Sequence, residues 1–163
     1  MMQLLDRVYG WFLRAANACQ SPLLLAVRLY WGWQFWQAGW GKAMNIPHVI
    51  EYFTSLGIPA PTLNAYFIAW LEVVGGILLV LGLGSRLIAL PLAIDMIVAY
   101  LVADREALTS IISDPDKFYA ASSYTFLFAS LLILFFGPGF FSLDKAIAWY
   151  RQKRQPTDAE PRK

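Results

Sequence analysis

Four stretches of the chain are long and apolar enough to cross a bilayer, over residues 22–40, 63–83, 86–104 and 119–136. Each is close to the ~20 residues that a spanning helix needs. The segment before them has a different pattern. Leu4, Leu5, Val8, Trp11, Phe12 and Ala15 recur at i, i+1, i+4, i+7, i+8 and i+11, one stripe of a helix. Asp6, Arg7, Arg14 and Asn17 fall largely off that stripe, so residues 1–20 read as a short amphipathic helix lying in the membrane interface. No basic stretch precedes a continuous apolar core, and Arg14 interrupts the segment, which sets it apart from a signal peptide.

Turn residues mark the boundaries. Ser21 suits an N-cap and Pro22 a first helical position. Residues 41–62 are a polar connection holding Pro47, Gly57, Pro59 and Pro61, with a short helix expected over 48–56. Gly82 suits a C-cap and Ser85 the next N-cap, so the second and third spans are antiparallel neighbours across a very short turn. Pro91 is expected to kink the third span. A polar segment, 104–118, sets Asp104, Glu106, Asp114 and Asp116 against Arg105 and Lys117. The fourth span stops at Gly137-Pro138-Gly139, and Ser142 caps a last helix over 143–154. A charged, proline-containing tail, 155–163, is expected to be disordered. The expected fold is all-α, a polytopic membrane four-helix bundle over 21–136 with amphipathic helices at both ends.

Composition agrees with this pattern. The chain is 58% hydrophobic and 15% charged, against roughly a quarter charged in soluble domains. The net charge of +2 makes nucleic acid an unsuitable partner. A single cysteine, Cys19, and a single histidine, His48, exclude an intrachain disulfide, a CxxC pair, a multi-cysteine cluster and two-histidine haem ligation. No cofactor is expected to be held covalently or by metal ligands, and any electron carrier must be borrowed. Arg7 and Arg14, Arg86 in the short turn and the basic end of the chain read as cytoplasmic. Both termini then face the cytoplasm.

Three ionisable residues fall inside the spans: Arg28, Glu72 and Asp95. Such residues mark function by default. Glu72 lies about 16 Å and Asp95 about 14 Å from the short turn at 1.5 Å per residue, so the two carboxylates sit at nearly the same depth on adjacent helices. Arg28, about 9 Å above Pro22, is the candidate counter-charge. At 100° per residue, Arg28, Gly32, Phe35, Gly39 and Lys42 share one face of the first span, and Glu72, Gly76, Leu79, Leu83 and Arg86 share one face of the next. Glycine on such faces permits close helix approach, and Gly75-Gly76 fits either tight packing or room for a ligand. Two carboxylates in one low-dielectric site cannot both ionise cheaply, as a proton acceptor beside a quinone requires. The same residues also suit an inert structural network. Lys42 reads as a snorkelling interface residue and Arg86 as an orientation signal and phosphate contact. Trp31, Trp33, Trp36 and Trp40 crowd one end of the first span, where tryptophan anchors at an interface.

Several local patterns together resemble one family. Arg28-x3-Gly32 leading to Ala38-Gly39-Trp40-Gly41-Lys42, the connection Leu56-Gly57-Ile58-Pro59-Ala60-Pro61, Trp70-Leu71-Glu72-Val73-Val74-Gly75-Gly76 with Leu81-Gly82-Leu83 and Arg86, and Gly137-Pro138-Gly139 with Ser142-Leu143-Asp144 are similar to the signatures of the DoxX family. The resemblance covers roughly residues 22–145, offers no match for Asp95, and implies a four-helix bacterial inner-membrane protein. Some relatives are membrane subunits of thiosulfate:quinone oxidoreductases, and others are proposed anchors of redox enzymes. The leading expectation is therefore a membrane subunit of a quinone-interacting redox complex. Glu72 and Asp95 would handle protons there, and Arg28, Trp31, Trp36, Trp70, Gly75 and Gly76 would border the quinone. The alternatives are a non-catalytic anchor for a partner enzyme or, ranked last, a small transporter. A protein partner and a homo-oligomer are both compatible with the sequence.

Overall fold

The computed structural model describes residues 2–154, and the expected tail over 155–163 lies outside the described residues. The elements are α1 (Met2–Met44), α2 (Ile46–Ser55), α3 (Pro61–Leu81), α4 (Ser85–Val102), α5 (Arg105–Thr109), α6 (Pro115–Ala120), α7 (Ser122–Phe136) and α8 (Leu143–Arg154). No strand occurs among the described residues. Two helices, α3 and α4, are long and apolar enough to cross a membrane, and α7 is a shorter apolar helix.

Helix α1 corrects one expectation. The chain does not restart at Ser21-Pro22; one helix runs through Pro22 without a break. Ser21 is not free to cap, because its hydroxyl accepts the backbone N–H of Phe140 at 3.2 Å. The 43 residues of α1 reach about 64 Å at 1.5 Å per residue. Its first half stands clear of the other helices, leaving Val8, Trp11 and Phe12 exposed.

The second half of α1 packs along α3, α3 packs on α4, and α4 packs on α7. Between them lies a core of Val27, Phe35, Leu79, Ala89, Leu92, Met96, Ala129 and Ile133. The Phe35 and Phe126 rings meet edge to face with centroids 4.6 Å apart, an arrangement favoured by their quadrupoles. Glycine sets the α1–α3 distance. A side chain at Gly76 would meet the Gly32 carbonyl at 2.5 Å and the Trp36 amide at 2.6 Å. One at Gly39 would meet the Val73 amide at 2.6 Å. The face predicted for α1 is therefore the seam with α3.

The surface is inverted relative to a water-soluble bundle. The exposed residues of α3 include Leu63, Tyr66, Phe67, Trp70, Val74, Ile77 and Leu81, and those of α4 include Leu87, Leu90, Ile94, Ile97, Val98 and Leu101. Arg28 and Glu72 are buried instead. A continuous apolar exterior around buried charges matches hydrocarbon as the solvent.

The short α3–α4 turn behaves as expected at Gly82, which closes α3 with φ 70°. The cap of α4 differs from expectation. Ser85 is the first residue of α4, and its hydroxyl makes no hydrogen bond. The Asp144 carboxylate, 60 residues later, accepts from Gly84 N–H at 2.8 Å and Ser85 N–H at 3.2 Å. The α7 start also differs. It begins at Ser122 because Ala121 is extended, with ψ 130°, which separates α7 from α6. Ser142 does cap α8, accepting the Lys145 N–H at 3.3 Å.

Candidate functional site

The close approach of α1 and α3 at Gly39 sets up the site. One turn beyond Gly39, the Lys42 ammonium donates to Glu72 Oε2 and forms an ion pair with it. The Glu72 side chain is 3% exposed and that of Lys42 30%, so the pair connects the helix seam to the surface. Asp95, on α4, lies within electrostatic reach of both groups. Its Oδ2 atom is buried and has no hydrogen-bond partner. Glu72 and Asp95 thus come together as the depth arithmetic expects.

The counter-charge is a correction. Arg28 does not join Glu72 and Asp95, and Lys42, expected only at the interface, takes that place. Arg28 lies at the opposite end of the seam. Its Nε donates to the Leu79 carbonyl at 3.0 Å, and Nη2 donates to the carbonyls of Val80 at 3.3 Å and Phe141 at 3.0 Å. Nη1 donates to the Pro138 carbonyl. Leu79 is seven residues beyond Glu72, about 10 Å along the helix. A guanidinium at the C-terminal end of α3 also meets the negative end of the helix dipole. Gly82 leaves the room, since a side chain there would lie 2.7 Å from the Arg28 guanidinium carbon. Arg28 therefore joins three segments of the chain, with its donors spent on backbone carbonyls.

The other candidate residues divide similarly. The space left by Gly75 is filled by Leu92, and that left by Gly76 by the backbone of α1, so tight packing is the alternative realised at both. Trp31 packs against the core. Trp36 stacks between Trp33 and Trp40, with centroids 4.7 and 6.0 Å away. That stack sits about 100° round α1 from the seam, by the 100° per residue of a helix. Trp70 is on the exposed face of α3. Arg86 is exposed and donates to the Phe135 carbonyl at 3.2 Å.

Asp104 and Ser123 were not singled out as a pair. The Ser123 hydroxyl donates to Asp104 Oδ2 at 2.6 Å, and the Tyr100 hydroxyl donates to the Phe118 carbonyl at 3.0 Å. Both bonds fasten the acidic connection to the helices. On its surface, Lys117 donates to Glu106 at 2.9 Å. That hydrogen bond, followed by the charge of Lys117, holds the Glu106 carboxyl below its ordinary value. A depressed folded-state value contributes stability above the unfolded value, and the contribution is lost as pH falls through the folded one. Lys117→Gln is expected to return the Glu106 titration to the ordinary glutamate range in an NMR-monitored pH series. An unchanged midpoint would contradict the pairing.

The DoxX family profile matches residues 23–105. A Mycobacterium tuberculosis protein named "Uncharacterized membrane protein Rv3486" is 30% identical over 147 residues, covering 83% of this chain and 87% of that protein. A Bacillus subtilis protein named "Putative oxidoreductase CatD" is 29% identical over 120 residues, covering 74% and 83%. No solved structure matches the chain. The matched region contains Arg28, Lys42, Glu72 and Asp95, so the Lys42–Glu72–Asp95 site lies inside it, while two of the carbonyls bound by Arg28, those of Pro138 and Phe141, lie beyond it. The protein is a membrane protein, and it belongs to the DoxX family.

Proposed function

We propose that this protein is a multi-pass subunit of a redox-linked complex in the bacterial inner membrane, and that Lys42, Glu72 and Asp95 hold and transfer protons for a membrane quinone. The second half of α1, with α3, α4 and α7, forms the four spans. The basic residues Arg86 and Lys145 line one end of the molecule together with Gln20 and Ser21, which supports cytoplasmic termini by the positive-inside rule. The exposed Val8, Trp11 and Phe12 then lie in the cytoplasmic interface. At 15 residues, α7 covers about 22 Å, less than the ~30 Å hydrocarbon core. A modest local thinning of the bilayer accommodates that difference.

The observation that carries the chemistry is the buried, unpartnered Asp95 Oδ2 beside the Lys42–Glu72 pair. Lys42 is a donor suited to a ring carbonyl, Asp95 is an acceptor suited to a ring hydroxyl, and Glu72 holds Lys42 in position. A bound quinone would supply a carrier for two electrons and two protons. The partly exposed Lys42 gives protons a path between the buried carboxylates and the membrane surface. The name of the Bacillus subtilis relative, "Putative oxidoreductase CatD", also favours a redox setting.

Purified protein in detergent, titrated with a short-chain benzoquinone and followed by tryptophan fluorescence, tests this reading. Asp95→Asn is expected to weaken binding about tenfold, the effect of one lost hydrogen bond to a charged group. It is also expected to flatten the pH dependence of binding. No binding by the wild type, or equal binding by both proteins, would overturn it. The filling of the Gly75 and Gly76 spaces by protein atoms favours a second reading, a non-catalytic anchor for a partner enzyme. On that reading Glu72→Gln lowers the amount of assembled complex in native membranes and leaves quinone binding unchanged.

A further inference from the structure

An open cleft of about 720 Å³ lies at the Gly82 end of the molecule, away from Lys42 and Glu72. It is formed where the middle of α1, the start of α4, the loop after α7 and the first turns of α8 meet. Arg86 and Lys145 line it, with Gln20 and Ser21 beside them. Among the described residues, neither cation takes part in an ion pair. Arg86 has one backbone contact, to Phe135. Asp144 also lines the cleft, but its two oxygens are held by the Gly84 and Ser85 amides and it interacts electrostatically with Arg28. The negative charge of Asp144 is thus offset by those amides and by Arg28, while the two cations line the cleft without an ion-pair partner among the described residues.

The walls have a different character. Leu87 and Phe140 are 82% and 72% exposed, and Phe136 stands beside them. Two unpaired cations at the rim of an apolar, laterally open cleft match the two parts of an anionic amphiphile. The N-terminal amides of α4 take no part, since Asp144 already satisfies them.

We infer that this cleft binds a phosphate group through Arg86 and Lys145, with the glycerophosphate of an anionic membrane lipid as its source. Arg86 supplies a planar set of donors to phosphate oxygens and Lys145 a point charge. The acyl chains lie along Leu87 and Phe136 on the outside of the bundle. Such a lipid joins α4 to α8, two elements whose only described hydrogen bonds to each other run through Asp144. Basic recesses between helices at the cytoplasmic face are suited to anionic headgroups on physical grounds. The inference does not depend on quinone binding at Lys42 and Glu72.

The test is retention of lipid by protein purified from vesicles containing equal amounts of phosphatidylglycerol and phosphatidylcholine, read by native mass spectrometry. Wild-type protein is expected to retain phosphatidylglycerol at least fivefold over phosphatidylcholine. Lys145→Gln is expected to reduce that preference by more than half, and Arg86→Gln with Lys145→Gln to abolish it. Lys153→Gln, whose ammonium lies over the Trp149 ring 4.1 Å away, serves as the control and is expected to retain the preference. Lys145→Gln keeps the test decisive if the double variant unfolds, because the Lys145 side chain makes no described hydrogen bond. A parallel arm adds inorganic phosphate in detergent without vesicles. Charge-dependent binding of phosphate there, with no lipid preference in the first arm, supports the same phosphate site and assigns it a soluble source. Equal retention of both lipids by the wild type with no phosphate binding, or a preference unaltered in Lys145→Gln and in the double variant, would overturn the inference.

Discussion

Arg28→Met is expected to cost about 3–5 kcal/mol of unfolding free energy, the range seen when a buried charged partner is removed. The side chain is buried, and its donors reach four backbone carbonyls, those of Leu79, Val80, Pro138 and Phe141. Methionine keeps most of the apolar stem and removes every donor. Each carbonyl left without a partner away from water costs about 1–3 kcal/mol, and partial rehydration of the loop limits the sum. Arg28→Lys is expected to recover only part of the loss, because an ammonium lacks the fork that spans carbonyls on two segments. Equilibrium unfolding in mixed detergent micelles measures both variants. Limited proteolysis should also show the loop at residues 137–142 becoming cleavable in Arg28→Met. A cost below about 1 kcal/mol, the value of an ordinary hydrogen bond, would show that Arg28 does not hold these segments together.

The second large effect compares two glycines on one helix. Gly39→Ala and Gly41→Ala change the same group two residues apart on α1, and opposite outcomes are expected. A methyl at Gly39 would meet the Val73 amide at 2.6 Å, the Ala69 carbonyl at 2.7 Å and the Glu72 β-carbon at 2.8 Å. Two of these are backbone atoms of α3 and cannot rotate aside, so α1 must move away. Overpacking of this kind costs about 1–3 kcal/mol, only partly offset by the helix propensity gained. A methyl at Gly41 meets nothing within 4 Å. There the propensity gain stands alone, up to about 1 kcal/mol and less near a helix end. Because the Gly39 contact brings Lys42 to Glu72, Gly39→Ala should also weaken their pairing. Equal unfolding midpoints for the two alanine variants would contradict the packing described for the seam.

The face of α1 carrying Arg28, Gly32, Phe35, Gly39 and Lys42 was legible from helical angles alone, and the structure turns that face to α3. The level placement of Glu72 and Asp95 was legible from residue counts on either side of a short turn. What those counts lacked was register. Depth arithmetic let Arg28 reach upward to Glu72, while Gly32 against Gly76 fixes the antiparallel pairing and leaves Arg28 beside Leu79. That register sets Glu72 beside Gly39, one turn before Lys42, and only the long Lys42 side chain reaching back closes the pair, which residue counts do not indicate. Asp144 had no such signal. Its capping of α4 joins positions 60 residues apart, and nothing local in Ser142-Leu143-Asp144 indicates which helix end it closes. The continuity of α1 was hidden for the opposite reason. Ser21-Pro22 is a strong local start signal, overridden when the Ser21 hydroxyl binds the Phe140 amide from the far end of the chain.

The bonds from Arg28 to Pro138 and Phe141 join positions 110 and 113 residues apart. A chain emerging from the ribosome releases Phe141 113 residues after Arg28. Through most of that interval α1 carries a guanidinium with half of its eventual acceptors still unmade. Helix α1 is therefore completed by a loop made only after α7. A chain stopped before residue 138 has all four apolar segments in full or nearly so, yet lacks the means to settle its oldest buried charge.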